Sequence, residues 1–488
     1  MIANKNYYLF ISAFCLFLSI LFALPIAGSH FFINNKAAQL YIILITIAIQ
    51  IPFIFKIKKQ YKTENSNLYL LHPIFFVNGT VILSFFIPFV FFIFNEDLFY
   101  QRWCGVYLFS YTWKPLIIFC ISVVFFNLIC YFFENVLLRK NKPLNMENLF
   151  INIKRNELQI LAIIYAIIWV MRLFSLYTGS YWHVFTTPEI ILKRASYARF
   201  TSFLGFFAQV LAPIIWLMFW SLYFTKYKLN KKYRTFLISF VILEILFHIP
   251  TGSKYAVLMP LMTYFVVGFV LKQNIKKQFI IFTIIGILLW PVAGAYRASS
   301  RPGIPDLKKI EYITDPNVVK RGYLFVSTYS FMQTLEAFSG YFAFTNQCKN
   351  FLHGKSYIVT LAAPIPRPIW PSKPSRINWN KLGREYGVIG EFDFTTSPGL
   401  GIWTEAFFNF GYMGLFLMWI FISFIFLTLF KYMLKSKSIF GIALALYCPF
   451  RFLNSVDSSL ASVFSGIIKL ILVFTILNLI MKAVEKKK

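Results

Sequence analysis

The chain has 488 residues; 58% are hydrophobic, 20% are aromatic, and 14% carry charge where soluble domains carry about 25%. Apolar runs of roughly 18 or more residues recur from end to end, each able to cross a hydrocarbon core about 30 Å thick. That excludes a soluble globular protein and predicts an all-α polytopic integral membrane protein, and the net charge of +30 does not mark a nucleic-acid partner, because Lys and Arg gather in short loops between apolar runs.

Twelve spans are expected, at 7–28, 38–56, 75–94, 112–134, 158–177, 203–224, 235–250, 255–271, 278–296, 406–430, 438–454 and 461–481. The first apolar run exceeds the roughly 7–15 residues of a signal-peptide core, so it reads as a retained helix. Every second connection is strongly basic: Lys56 to Lys62, Arg139 to Arg155, Lys226 to Arg234, Lys272 to Lys277, Lys431 to Lys437 and the tail from Lys482. The opposite short loops hold little more than Lys36 and Arg102. By the positive-inside bias both termini are cytoplasmic, and the loops at 178–202 and 297–405 face outward. The chain therefore divides into residues 1–296, a large exoplasmic loop at 297–405 expected to cap the helices, and residues 406–488 with the last three spans. Six scattered cysteines show neither a CxxC pair nor a zinc spacing, and the Asn78-Gly-Thr80 sequon falls at a helix mouth on the cytoplasmic side.

Ionisable residues inside spans are costly and are candidate functional groups. Here they read as few and as sharing one side: Arg172, Glu244 with His248 four residues on, Lys254, Arg297, Arg301, Glu405, Arg451 and Asp457 all fall near outer helix ends. Structural ion pairs, such as Arg172 with Glu244, are the competing reading of any single pair. The outer loop adds Lys355, Arg367, Lys373, Arg376, Lys381 and Arg384, interleaved with Trp370, Trp379, Tyr386 and Trp403. Guanidinium groups fork onto phosphate oxygens and aromatic faces stack on sugars, although such aromatics also form the ordinary interfacial belt. Glu336, Glu385, Glu391, Asp393 and Glu405 are the acids on this side, and a carboxylate of suitable pKa takes a proton from a sugar hydroxyl. Glu391 and Asp393 have no His neighbour, so neither a metal nor another cofactor is expected. Five prolines in eleven residues between Pro364 and Pro374 forbid a helix and stiffen the segment that bears Arg367, Trp370 and Lys373.

Three stretches carry a resemblance. The first is Gly354-Lys-Ser-Tyr357 followed by Ala363-Pro-Ile-Pro-Arg-Pro-Ile-Trp-Pro-Ser-Lys-Pro374. The second runs from Ser397-Pro-Gly-Leu-Gly-Ile-Trp-Thr-Glu405 to Asn409-Phe-Gly-Tyr-Met-Gly414, and the third, weaker, is Pro250-Thr-Gly-Ser-Lys254. Together they resemble the Wzy-type polysaccharide polymerases, the repeat-unit polymerases of bacterial O-antigen and exopolysaccharide synthesis. Arg194 to Gly205 and Arg376 to Gly387 also show the Arg-x10-Gly spacing described for some members, whereas Lys254 stands where many relatives have Arg.

The resemblance implies a GT-C-like helical membrane fold and an inverting, metal-independent glycosyltransferase in the bacterial inner membrane. It implies transfer of a glycan from undecaprenyl diphosphate to another lipid-linked repeat unit on the periplasmic face, with membrane lipid and a chain-length regulator as partners. In that reading Arg367, with Arg297, Arg301 and Arg376, holds the donor diphosphate. Glu405, or else Glu336, is the base. Arg172, Lys254, Trp370, Lys373, Arg384 and Arg451 complete the substrate-binding set. A lipid-linked oligosaccharide flippase and an O-antigen ligase remain the alternatives.

Overall fold

A computed structural model describes residues 36–62, 67–94, 113–138, 231–248, 254–284 and 401–435, together with parts of 163–173, 212–224, 341–392 and 447–475. The described residues are mostly helical and contain no strand. In chain order the helices are α1 (Lys36–Tyr61), α2 (Pro73–Val81), α3 (Ile87–Phe94), α4 (Trp113–Leu138), α5 (Lys231–His248), α6 (Lys254–Val270), α7 (Lys355–Ala362), α8 (Trp379–Glu385) and α9 (Gly401–Lys435). A 3-10 turn (Leu68–Leu71) precedes α2, and a π-helical segment (Ile82–Phe86) joins α2 to α3.

Three helices are long and apolar enough to cross a membrane: Lys36–Tyr61, Lys114–Leu137 and Gly401–Lys435. They fall on the expected spans 38–56, 112–134 and 406–430. Shorter apolar helices at Pro73–Phe86, Ile238–Phe247 and Met259–Val270 fall within three more of the twelve. The other six expected spans lie partly or wholly outside the described residues.

The helices sort their faces as a bilayer demands. Along α1 the residues Gln39, Ile42, Ile43, Thr46, Gln50, Phe53, Ile57 and Tyr61 are buried at three- and four-residue spacing. Tyr41, Leu44, Ile51 and Phe55 on its other face are exposed, which is unfavourable in water and neutral in hydrocarbon. Polar side chains point inward instead, where they tie helices together. Asn78 of α2 and Asn127 of α4 exchange amide hydrogen bonds of 2.6 and 3.2 Å, and Trp419 Nε1 of α9 donates to Ser122 Oγ of α4 at 3.0 Å. Asn78 of the sequon is thus a core residue with its amide engaged.

Aromatic rings fill the centre. Phe85 stacks on Phe119 at 3.7 Å, and the Trp403 ring meets both edge-on. The α6 C-terminus is closed by Asn67, whose backbone N–H donates to Val270 O at 2.7 Å and whose Nδ2 donates to Phe269 O at 2.8 Å, satisfying two terminal carbonyls.

Candidate functional site

The residues of α9 do not form one straight span. Phe410 (φ −139°, ψ 22°) and Gly411 (φ 60°, ψ −149°) leave helical geometry and divide a short N-terminal segment from a long one. A positive φ with ψ near −150° is open essentially to glycine alone. The bend also brings Gly414 against the Ala406 carbonyl, so closely that a methyl group there would overlap it. All nine residues from Gly401 to Asn409 are buried. Glu405, expected near the outer end of a span, sits inside this enclosed segment, with no exposed surface.

Breaking the helix leaves carbonyl groups without partners, and the loop at 351–354 supplies them. Leu352 N–H donates to Phe408 O and His353 N–H to Asn409 O, each at 3.0 Å. The loop can turn back to do so because His353 (φ 46°) and Gly354 (φ 82°) both take the left-handed conformation. It then starts α7, with Lys355 N–H donating to Leu352 O. Phe351 packs on Gly411 and Phe410 on Gly354, so each side's glycine accepts the other's ring.

Around Glu405 this docking assembles a small polar group. Asn409 Nδ2 donates to Ser356 Oγ at 2.6 Å and to the Glu405 carbonyl at 2.8 Å. Leu460 N–H donates to Glu405 Oε2. Burial, and then the negative charge of Glu405, push the Tyr357 phenol well up, despite a lowering bond from Asn409; it therefore stays a hydrogen-bond donor at neutral pH.

The neighbouring α8 docks by rings. Tyr386 packs on Phe344 (4.4 Å) and Phe408 (5.9 Å), and Asn378 caps the helix by accepting Lys381 N–H at 3.1 Å.

Four of the predicted site residues have described side chains: Glu405, Trp370, Lys373 and Arg384. Trp370 is 38% exposed at the tip of the proline-rich segment, and Lys373 Nζ reaches back to Ile365 O at 2.8 Å, closing that segment into a loop. Arg384 lies half-buried in the last turn of α8, two residues before the docking Tyr386. Lys254 is the first residue of α6, with its side chain outside the described set. Glu336, Arg367, Arg172, Arg297, Arg301, Arg376 and Arg451 lie outside the described residues. Glu244 receives the Tyr165 hydroxyl at 2.8 Å.

Sequence reasoning missed two things. Ser356, Tyr357 and Asn409 were in view only as parts of motifs, although a polar residue four places from an intramembrane acid was a usable signal. The second is a buried acid at the far end of the bundle, which corrects the expectation that intramembrane charges share one side. Glu134 is 3% exposed near the end of α4; its Oε1 accepts the Tyr61 hydroxyl at 3.2 Å and lies 4.0 Å from His72 Nε2. His72 has no exposed surface, and its ring stacks on Tyr61 while Phe430 meets both edge-on. The acid was legible at the edge of the expected span 112–134; its partners were not. Among the described residues no group of three or more His, Cys, Asp or Glu is placed to hold a metal. No protein family, curated relative or solved structure matches the chain.

Proposed function

We propose that the chain is a repeat-unit polysaccharide polymerase of a bacterial inner membrane with the expected twelve spans, an inverting glycosyltransferase acting on polyprenyl-diphosphate-linked oligosaccharides. One observation supports this reading above others. Parts of two of the three stretches that carry the resemblance, Gly354–Tyr357 of the first and Glu405 with Asn409–Gly414 of the second, lie about fifty residues apart in sequence and pack together beside a buried carboxylate. A family motif with no chemistry would have no reason to converge on an acid.

In this reading the Glu405 carboxylate takes the proton of an acceptor sugar hydroxyl. That oxygen attacks the anomeric carbon of the donor, the carbon–oxygen bond to the diphosphate breaks, and polyprenyl diphosphate departs with both bonding electrons. Its charge is met by Arg367, Arg376, Arg297 and Arg301, so no acid is needed for the leaving group. Tyr357, kept protonated, donates toward the acceptor. Asn409 fixes the helical turn that bears Glu405. Because Glu405 is enclosed, the acceptor reaches it only after the covering loop shifts, which couples proton removal to substrate binding.

A strain lacking its own polymerase, complemented with this gene, tests the reading by glycan length. Wild type should give a ladder of repeats; Glu405→Gln and Arg367→Ala should give single capped repeats at unchanged protein level. A full ladder from Glu405→Gln removes the base assignment, and no ladder from well-expressed wild type in its native strain removes the polymerase.

One observation favours a second reading, a carrier of lipid-linked oligosaccharide. A carrier needs polar groups along the whole path, and besides Glu405 the buried polar side chains include Gln50, Asn78 and Asn127 within helices and Glu134 with His72 near the other end of α9. Glu134→Gln separates the two: it abolishes transport in a carrier and leaves a polymerase ladder.

A further inference from the structure

α7 is built inside out. Its polar Ser356 is 2% exposed and turned toward Asn409, and Ala362 is 4% exposed. Its large apolar residues face away from the protein: Ile358 is 61% exposed and Leu361 69%. Ile365, four residues further on in the turn that closes on Ala362 O, is 37% exposed. Ile358 and Leu361, three apart within α7, share one face of that helix. A surface helix in water shows the opposite pattern.

A second exposed apolar face lies on the helix to which α7 is joined. The long segment of α9 exposes Met413 (65%), Leu417 (48%), Phe421 (46%) and Phe424 (48%) at helical spacing, the outward stripe of a helix of membrane-spanning length. Phe410, 38% exposed, stands at the top of the stripe, and its ring lies 6.1 Å from that of Tyr357 on α7. The edges carry interfacial residues: exposed Lys355 at the start of α7, and Trp370 with Lys373 just beyond Ile365. Eight residues are too few for a helix to persist alone, and the bonds from Leu352 and His353 to the α9 break hold this one at the membrane end of α9.

We propose that α7 and the turn after it are embedded in the bilayer, with Ile358, Leu361 and Ile365 against the acyl chains of one leaflet. The Ser356–Asn409 pair then lies at the border of hydrocarbon and protein, and a ligand entering beneath α7 comes from the lipid side. An amphiphile with a long apolar tail is the class of molecule able to do so. The placement of α7 does not depend on the polymerase reading and stands or falls separately.

Photocrosslinking in vesicles of phosphatidylethanolamine and phosphatidylglycerol tests it. The benzophenone amino acid p-benzoylphenylalanine replaces Leu361, Met413 or Lys381 in the full chain; Met413 is the lipid-facing reference, and Lys381, with its side chain 67% exposed, is the water-facing one. Each variant must first elute as the same single species as wild type. After illumination, mass spectrometry reads phospholipid adducts and gel mobility reads protein–protein adducts. The expected result is a phospholipid adduct at position 361 in a yield close to that at 413 and several-fold above that at 381. Absence of adduct at 361, as at 381, puts the face in water and overturns the proposal. A dimer-sized adduct at 361 in place of the lipid one assigns the face to a second copy of the chain and overturns it equally.

Discussion

At one end of α9, Glu405 is buried inside a broken helix and satisfied by backbone: its own turn is braced by Asn409, and Leu460 N–H meets its carboxylate. Near the other end, Glu134 is buried between helices and engaged by a side chain, the Tyr61 hydroxyl, with the His72 imidazole facing it at 4.0 Å. Both acids escape water, but by different means. The first depends on the shape of the main chain, which glycines permit. The second depends on rings and hydroxyls that one substitution deletes without moving the backbone. The polar group around Glu405 is therefore sensitive to added bulk, and that around Glu134 to lost donors.

The sharpest way to break the contrast is Gly414→Ala. A single methyl would collide with the Ala406 carbonyl and force the two parts of α9 apart. The backbone cannot yield as a side chain would, so a loss of about 3 kcal/mol or more is expected, at the top of the overpacking range. Detergent-solubilised protein should show a lower thermal midpoint and reduced monodisperse yield. An unchanged midpoint would mean that the bend is not tight.

Tyr61→Phe is the matching test at the other end. It removes the hydroxyl that donates to Glu134 Oε1 and changes almost no volume. Loss of a hydrogen bond to a buried charged group costs about 1.5–3 kcal/mol. Thermal unfolding of the variant should show that loss, whereas Tyr41→Phe, at an exposed position of the same helix, should show none. Equal effects of the two substitutions would remove the cluster's structural role.

A smaller effect, adjustable by pH, follows from His72. Burial pushes its pKa down from 6.5 to about 3. Its Nδ1 already accepts Ile74 N–H at 3.2 Å, which occupies the position a second proton would need. The folded chain thus keeps the imidazole neutral, while the unfolded chain protonates it below pH 6.5. The associated stability is full above that pH and declines as pH falls toward 3, by about 1.4 kcal/mol per unit once well below 6.5. Thermal midpoints compared at pH 7.5 and 5.5 should differ more for wild type than for His72→Gln.

Much of the architecture was legible in the sequence because the bilayer imposes a simple rule. A helix must be long and apolar enough to cross, and α1, α4 and α9 fall where apolar runs place them. Gly411 and Gly414, both inside the second stretch of the resemblance, each allow a close approach.

Composition could not show that α9 is two segments. An apolar run reads the same whether straight or bent, and the bend is decided by one φ angle at Gly411 and by the loop that fills the open carbonyls. Nor could the run tell which polar residues face inward. Ser356 meets Asn409 across 53 positions and Tyr61 meets Glu134 across 73. Hydropathy is a property of segments, so the sequence by itself determined which stretches belong in a membrane. Pairing between distant side chains depends on helix rotation and contact, so only the tertiary structure decided which acids are enclosed and what encloses them.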